Sequence, residues 1–282
     1  MSDTPNKPEI WYCKDLAQKL KLEAASMCKG FEGTPKLAII TVGEDPASQV
    51  YVRNKKKDCE EIGFAWDHII LPETASTDDV LDAIDYTDAH GIIMQLPVPD
   101  QIDVNEVTNH IPQFKDVDCF RLDNLGRVVI GDNPLFLPCT PAGVMAILEE
   151  HGVDLVGKNV VVIGRSNIVG KPLANMLINA GAATTCLNSK CELPLYLYDA
   201  DVIISAAGVR GLIKPEHISK NTVIIDVGIN VDETGKLCGD VDKSCYENSS
   251  ARAITPVPGG VGLMTRAILM QNVAKAFCFA NV

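Results

Sequence analysis

Two stretches of this sequence place reactive residue types at spacings that could support chemistry. In the first, Ser48, Tyr51 and Lys55 recur about one helical turn apart, so their side chains are neighbours. Val52 lies three residues before Lys55 and Cys59 four after it, which puts the lysine on the apolar face of the helix. An ammonium is costly to bury. A lysine turned toward a core beside a tyrosine can therefore lose its proton near neutrality and work as an acid/base. The plain alternative is a lysine that snorkels past the core edge, and spacing alone leaves both open. Lys57, beside Arg53, Asn54, Glu60 and Glu61, belongs to a solvated face with ordinary ion pairs.

The second stretch runs from Asn159 to Pro172. Its β-branched start reads as a buried parallel strand that breaks into a glycine-bearing loop. The loop leads into a good helix former at residues 173–180, closed by Gly181, with Pro172 suited to the first helical position. Free N–H groups and the positive end of a helix dipole make such a junction an anion cradle. The dinucleotide fingerprint would want glycines at 164, 166 and 169, but Ser166 and Val169 stand there and the next glycine is Gly170. The P-loop would want four residues between glycines and Ser or Thr after the lysine; this chain has five, then Pro172. Rossmann-type dinucleotide binding is favoured, with a packing turn or a P-loop variant as alternatives. The next strand, residues 183–187, ends in Asn188-Ser189-Lys190, and no acid appears before Glu192 to bind a ribose 2′-hydroxyl. A hydroxyl and a cation, with Arg165 in the loop, suit a 2′-phosphate instead. NADP is favoured over NAD.

These residues need elements to position them, and 282 residues make room for roughly two domains. Leu16, Leu20, Ala24 and Met27 recur at helical spacing; residues 36–42 read as a buried strand; Gly43-Glu-Asp-Pro46 turns into the helix of Lys55, which Gly63 stops. A strand at 66–71, a helix at 78–89 and a strand at 91–95 follow. Such alternation implies parallel βαβ units, with ligands beyond the strands' carboxyl ends, here residues 43–46 and 95–99. Asp116 and Asp118 read as turn formers, and residues 121–136 as a polar surface loop. A helix opens near Pro138, with Thr140 as N-cap and Pro141 at its first position, and bridges the domains. Strands at 200–205 and 222–226 end in Ala206-Ala207-Gly208 and Val227-Gly228-Ile229-Asn230, small residues that admit a flat ring or simply pack. Residues 256–262 carry three glycines in four positions before an amphipathic helix, which points to backbone lying close to a ligand.

A formal charge of −12, from 25 Lys and Arg against 37 acids, argues against a nucleic-acid partner. The ten cysteines form no C-x-x-C and no Cys/His pair at zinc spacing, so no metal site is expected and a reducing compartment is the plain reading. The first residues show neither an apolar signal core nor an Arg-rich amphipathic pattern, and no apolar run reaches membrane-spanning length. A soluble, cytoplasmic protein with no membrane partner is expected.

Together these segments resemble the bifunctional methylenetetrahydrofolate dehydrogenase/cyclohydrolase family over nearly the whole chain. The marks are Tyr51-x-x-x-Lys55, Gln95-Leu-Pro97, Lys115-Asp-Val-Asp118, Pro138-Cys-Thr-Pro141, Gly164-Arg-Ser-x-x-x-Gly-x-Pro172 and Pro256-Val-Pro-Gly-Gly-Val-Gly262. Their joint occurrence, in order, is what makes the resemblance specific. It implies a two-domain α/β protein: a smaller parallel βαβ substrate domain over residues 1–139, joined by the last helix at 263–282, and a Rossmann-type NADP-binding domain over residues 140–262, with a cleft between them. It further implies oxidation of 5,10-methylenetetrahydrofolate with NADP, then opening of the methenyl ring by water to give 10-formyltetrahydrofolate. Lys55 would be the general acid/base, with Tyr51 and Gln95 positioning and tuning it, and Asp118 would bind the pterin. Ser48, Met94 and Leu96 would join them in binding substrate, and Pro258, Gly259, Gly260, Val261 and Gly262 would line the folate. Thr140, Gly164, Arg165, Ser166, Ser189, Gly208 and Ile229 would hold the dinucleotide. A homodimer is implied by the same analogy.

Three segments depart from the family pattern. Many members continue Asp-Val-Asp-Gly-Phe-His-Pro, whereas this chain reads Asp118-Cys119-Phe120-Arg121-Leu122; Leu263 and Asn188 replace a usual proline and a common histidine. The first change bears on how Asp118 meets the pterin. Two alternatives stand beside the bifunctional enzyme. One is a monofunctional dehydrogenase of the same family, against which Lys55 and Gln95 argue; the other is an inactive nucleotide- or folate-binding module that regulates a partner.

Overall fold

The computed structural model describes residues 7–219 and 221–282. In chain order the elements are β1 (Glu9–Ile10), α1 (Lys14–Met27), β2 (Lys36–Val42), α2 (Pro46–Ile62), β3 (Ala65–Leu71), α3 (Thr77–Tyr86), β4 (Gly91–Met94), α4 (Val104–His110), α5 (Leu122–Ile130) and α6 (Cys139–Glu150). Then come β5 (Asn159–Ile163), α7 (Gly170–Asn179), β6 (Ala183–Leu187), β7 (Val202–Ser205), β8 (Val223–Asp226), a short strand Ala253–Ile254 and a last helix Val261–Ala280. The chain divides into two compact units. The first comprises Gln18–Val128, Asp132–Cys139 and Arg266–Val282; the second comprises the segment ending at Ala17, Val129–Gly131 and Thr140–Thr265.

The first unit is built on three parallel strands in the order β3–β2–β4. Leu37, Ala38, Ile39 and Ile40 of β2 are fully buried in succession, as a central parallel strand must be when both its faces are covered. On one face Ala38, Ile40, Ile92 and Met94 pack with Val80 and Ile84 of α3 and Val107 of α4. Each large side chain so buried contributes roughly 1.5–3 kcal/mol. Helix α2 starts where Asp45 caps the Ser48 N–H and ends at Gly63, whose φ of +77° suits a residue without Cβ. Asp58 of α2 is buried and ion-paired to Lys21 of α1 at 3.2 Å and to Arg266 of the last helix at 2.6 Å. A carboxylate removed from water needs such partners.

The second unit carries a parallel sheet in the order β1, Ala253–Ile254, β8, β7, β5, β6. From β5 the chain crosses by α7 to β6 on one side, then returns to β7 on the other side of β5. That reversal of strand order opens a crevice at the carboxyl ends of β5 and β7. Val161, Ile163, Leu187, Ile203 and Ile224 form the centre of the core on one face.

The structure departs from the sequence expectations in three places. Where a surface loop is expected over residues 121–136, helix α5 covers Leu122–Ile130. Its weak signal is physical: Gly126 lies mid-helix and Leu122, Val129 and Ile130 are exposed, while Asn124 is among the residues it buries. Helix α7 begins at Gly170, so Pro172 is the third helical residue, still inside the first turn where no N–H is needed. Helix α6 begins at Cys139, and the Thr140 hydroxyl meets that of Thr265 at 3.0 Å.

Candidate functional site

In the first unit, Gln95 leaves the end of β4 with its backbone N–H bound to the Ile40 carbonyl at 2.8 Å. Its side-chain Nε2 donates to the Leu96 carbonyl at 2.8 Å, which turns Oε1 toward Lys55; that oxygen accepts from Lys55 Nζ at 3.0 Å. Among the described residues the ammonium is thus met by a neutral amide oxygen rather than ion-paired to a carboxylate. Lys55 is half-buried on the stripe that includes Val52 and Cys59, as its spacing predicts. Tyr51, one turn before, stays partly exposed, and burial pushes its phenol above the usual range, so the hydroxyl keeps its proton. Ser48 is buried with a hydroxyl that meets no partner among the described residues. Such a group marks a place where a ligand or water completes the bonding. Met94 is buried at the end of β4, and Leu96 is half-buried beyond it.

Asp118 joins this group through Cys139. The buried Cys139 thiol is within hydrogen-bond reach of Asp118 and in the field of Lys55. Burial, followed by the charge of Asp118, holds that thiol well above its ordinary range and therefore neutral. Its Sγ also donates to the Val117 carbonyl at 3.4 Å. Cys139 is a residue that the spacing did not single out, because a buried thiol in a Pro-Cys-Thr-Pro run has no local mark. Lys55, Gln95, Tyr51, Asp118 and Ser48 thus share one unit, at or near the carboxyl ends of β2 and β4.

In the second unit the dinucleotide candidates ring the crevice after β5 and β7. Gly164 has φ +113°, and a Cβ there would run into the Ala206 carbonyl; a Cβ on Gly170 would run into the Gly164 carbonyl. These two glycines therefore do the work of a fingerprint whose other positions are Ser166 and Val169: a tight turn and close helix–strand packing. Ser166 Oγ accepts the Val169 N–H at 3.1 Å, leaving its own proton to donate, and Arg165 and Ser189 are exposed. The Asn188 side chain accepts the Lys190 N–H at 2.8 Å, and no carboxylate stands at the end of β6. An anion-sized cradle, a guanidinium and two hydroxyls fit a dinucleotide carrying an extra phosphate.

Gly208, with φ +65°, and Ile229 follow β7 and β8, and both are exposed. Behind them lie two buried carboxylates, Asp226 and Asp240, that the sequence does not advertise. Asp240 accepts from Ser205 Oγ, the N–H groups of Ala207, Gly208 and Val209, and Asn230 Nδ2, all within 2.8–3.2 Å. The segment between Ala206 and Val209 is shaped by that one side chain. In the run before the last helix, Gly259 needs its φ of +109°, and a Cβ on Gly260 would press on the Pro256 carbonyl at 2.6 Å. Gly262 has open space around it. Backbone conformation and close packing account for the first two glycines, and neither does for the third.

Comparison with known proteins fits these two units. Residues 12–118 match the catalytic domain of tetrahydrofolate dehydrogenase/cyclohydrolase, and residues 138–281 match its NAD(P)-binding domain. The bifunctional protein FolD of Magnetococcus marinus is 47% identical over 268 residues, 93% of each chain. Among solved structures, the bifunctional FolD methylenetetrahydrofolate dehydrogenase/cyclohydrolase of Campylobacter jejuni is 43% identical with a TM-score of 0.89, over 95% of this chain and 97% of that one. The Trypanosoma brucei methylenetetrahydrofolate dehydrogenase-cyclohydrolase, solved with NADP and an inhibitor, is 32% identical with a TM-score of 0.91, over 98% and 99% of the two chains.

Proposed function

Because this chain belongs to the tetrahydrofolate dehydrogenase/cyclohydrolase family, we propose that Lys55, Gln95, Tyr51 and Asp118 form its catalytic group and that Gly164, Arg165, Ser166 and Ser189 hold its dinucleotide. The enzyme oxidises 5,10-methylenetetrahydrofolate with NADP and hydrolyses the methenyl product to 10-formyltetrahydrofolate. The observation that carries the residue assignment is the 3.0 Å bond from Lys55 Nζ to Gln95 Oε1, with the Cys139 thiol within the influence of both Lys55 and Asp118.

NADP, when bound, supplies the hydride acceptor. The chain's own residues do the rest. Asp118 accepts hydrogen bonds from N–H groups of the pterin and, with Ser48, Met94 and Leu96, orients the ring so that the methylene carbon is presented in one attitude. Pro258, Gly259, Gly260, Val261 and Gly262 line the folate, with Gly262 free of side chain where the ligand comes closest. In the hydrolytic step water adds to the cationic methenyl carbon and loses a proton, and the departing ring nitrogen must gain one. Lys55 moves those protons at Nζ. Gln95 keeps Nζ in place without a counter-charge, and Tyr51, whose phenol stays protonated, helps position and tune the lysine as a hydrogen-bond donor. On the other ligand, Arg165 and Ser189 take the 2′-phosphate, Ser166 and the N–H groups after Gly164 the pyrophosphate, and Thr140, Gly208 and Ile229 border the remainder.

Residues up to 139 with the last helix are assigned to substrate and residues 140–262 to NADP, save that the segment ending at Ala17 belongs to the second unit, where β1 extends the sheet. The ten free cysteines support a reducing, cytoplasmic setting, the acidic charge supports the absence of a nucleic-acid partner, and family analogy supports a homodimer. Purified protein mixed with 5,10-methylenetetrahydrofolate and NADP tests the reading, with NADPH and the methenyl chromophore followed together. NADPH rising without methenyl build-up is expected. Methenyl accumulating at its buffer decay rate would remove the hydrolytic role of Lys55.

A further inference from the structure

Asp118 is presented by a turn that its own residues are poorly suited to form. Cys119, the next residue, has φ +61°, a left-handed conformation that glycine adopts freely and a residue with Cβ adopts at a cost. Such a conformation persists only where its surroundings over-determine it. Here the surroundings converge on Asp116, which is almost wholly buried. Its Oδ1 accepts the Phe120 N–H at 3.0 Å, and its Oδ2 accepts the Arg121 N–H at 3.0 Å and Asn124 Nδ2 at 2.8 Å. The Asp116 carbonyl accepts the Cys119 N–H at 3.0 Å. One residue therefore grips both ends of the loop that contains Asp118. Arg121 closes the far side: its Nη1 donates to the Asn109 and Ile111 carbonyls, and its Nε and Nη2 donate to Asp123. On the near side, Asn272 Nδ2 donates to the Val117 carbonyl at 2.8 Å.

We propose that Asp116 is a positioning residue for the substrate: by folding residues 116–121 around its carboxylate it holds Asp118 in the orientation that meets the pterin, in a chain where Cys119 makes that turn unfavourable on its own. This rests on the reading of Asp118 as the pterin-binding carboxylate. Asp116→Asn keeps the size of the side chain but sets an NH₂ group against a backbone N–H, so one grip is lost. The expected result is a rise in KM for 5,10-methylenetetrahydrofolate of about tenfold or more, with kcat within about threefold and the KM for NADP unchanged. Cys119→Gly, added to Asp116→Asn, relieves the left-handed cost and recovers much of the lost KM; by itself it leaves KM near the starting value. Arg121→Ala gives a smaller rise in KM, about threefold, and serves as an independent variant should Asp116→Asn fail to fold. Asp118→Asn is the control. If it leaves the folate KM unchanged, the reading of Asp118 falls and this inference with it. If it raises KM while folded Asp116→Asn and Arg121→Ala do not, or if Cys119→Gly restores nothing, Asp116 is only a structural residue and the proposal alone is overturned.

Discussion

The backbone N–H of Asp240 donates to the carboxylate of Asp226 at 3.0 Å, so two buried acids sit side by side in the second unit. Asp226 also takes the N–H groups of Gly228 and Val241, while Asp240 takes five donors around the Ala206–Val209 segment. Buried anions are tolerable when their lone pairs are met in this way. The remaining strain falls on Asp226. Burial, with a further push from the charge of Asp240, raises its carboxyl to about 6, and the backbone bonds offset only part of that.

A dependence of stability on pH follows. The native state holds a proton on Asp226 up to about pH 6, whereas the unfolded chain releases it at the ordinary 3.8. Native protein therefore binds more protons in this window, and the contribution is fully present below the unfolded value and lost as pH rises through about 6. Its size is on the order of 3 kcal/mol. Asp226→Asn removes the titration, so the stability of the parent relative to this variant should increase as pH falls from 7 toward 4.5. Urea unfolding of both proteins across that range checks it; a constant difference would mean Asp226 does not titrate there.

Lys55→Met should abolish cyclohydrolase turnover, by at least about 10²-fold, while leaving NADP affinity near the parent value. Single-turnover decay of added methenyltetrahydrofolate and a fluorescence titration with NADP separate the two. Gln95→Glu should also impair hydrolysis, because a carboxylate at 3.0 Å would replace the neutral acceptor with an ion pair. Loss of NADP binding in Lys55→Met would show that the lysine serves the fold rather than the chemistry.

The half-buried placement of Lys55 was legible because its neighbours at three and four residues are apolar, although that pattern leaves its role open. The strand–loop–helix at Gly164 was legible in the same way, from a β-branched run followed by glycine. What escaped depends on contacts distant in sequence. Asp58 reads as one more acid among Lys57, Glu60 and Glu61 until Lys21 and Arg266 arrive from other helices. Asp240 looks like a turn residue until five donors converge on it. Helix α5 hid because Gly126 weakens its helix propensity and three of its apolar residues face solvent, while the bond from Asn124 to Asp116 anchors it from outside.

Arg165 is exposed in the loop after β5, with no acid at the end of β6 to compete for a ribose hydroxyl. Arg165→Ala should raise the Kd for NADP about tenfold to a hundredfold, the range for a lost charge-assisted contact to phosphate, and should change the Kd for NAD little. Isothermal titration with both nucleotides reads the difference. Equal losses for the two would place Arg165 on the pyrophosphate instead.

Asp58 offers a test of stability rather than activity. Its carboxylate is buried, with Lys21 at 3.2 Å and Arg266 at 2.6 Å, and Lys21 reaches Glu61 at 2.5 Å. Asp58→Ala leaves Arg266 without a carboxylate and Lys21 with Glu61 alone, and should cost about 3 kcal/mol, the low end for breaking a buried pair. Asp58→Asn keeps hydrogen-bond acceptance and should cost less. The informative variant removes the charges together: Lys21→Met, Asp58→Leu and Arg266→Met in one chain should recover most of the loss, because burying apolar groups avoids the desolvation of three ions. Urea midpoints of the three proteins decide it. If the triple variant is as unstable as Asp58→Ala, the network contributes bonding geometry that apolar packing cannot replace, and the cost of Asp58→Ala is not mainly that of unpaired charge.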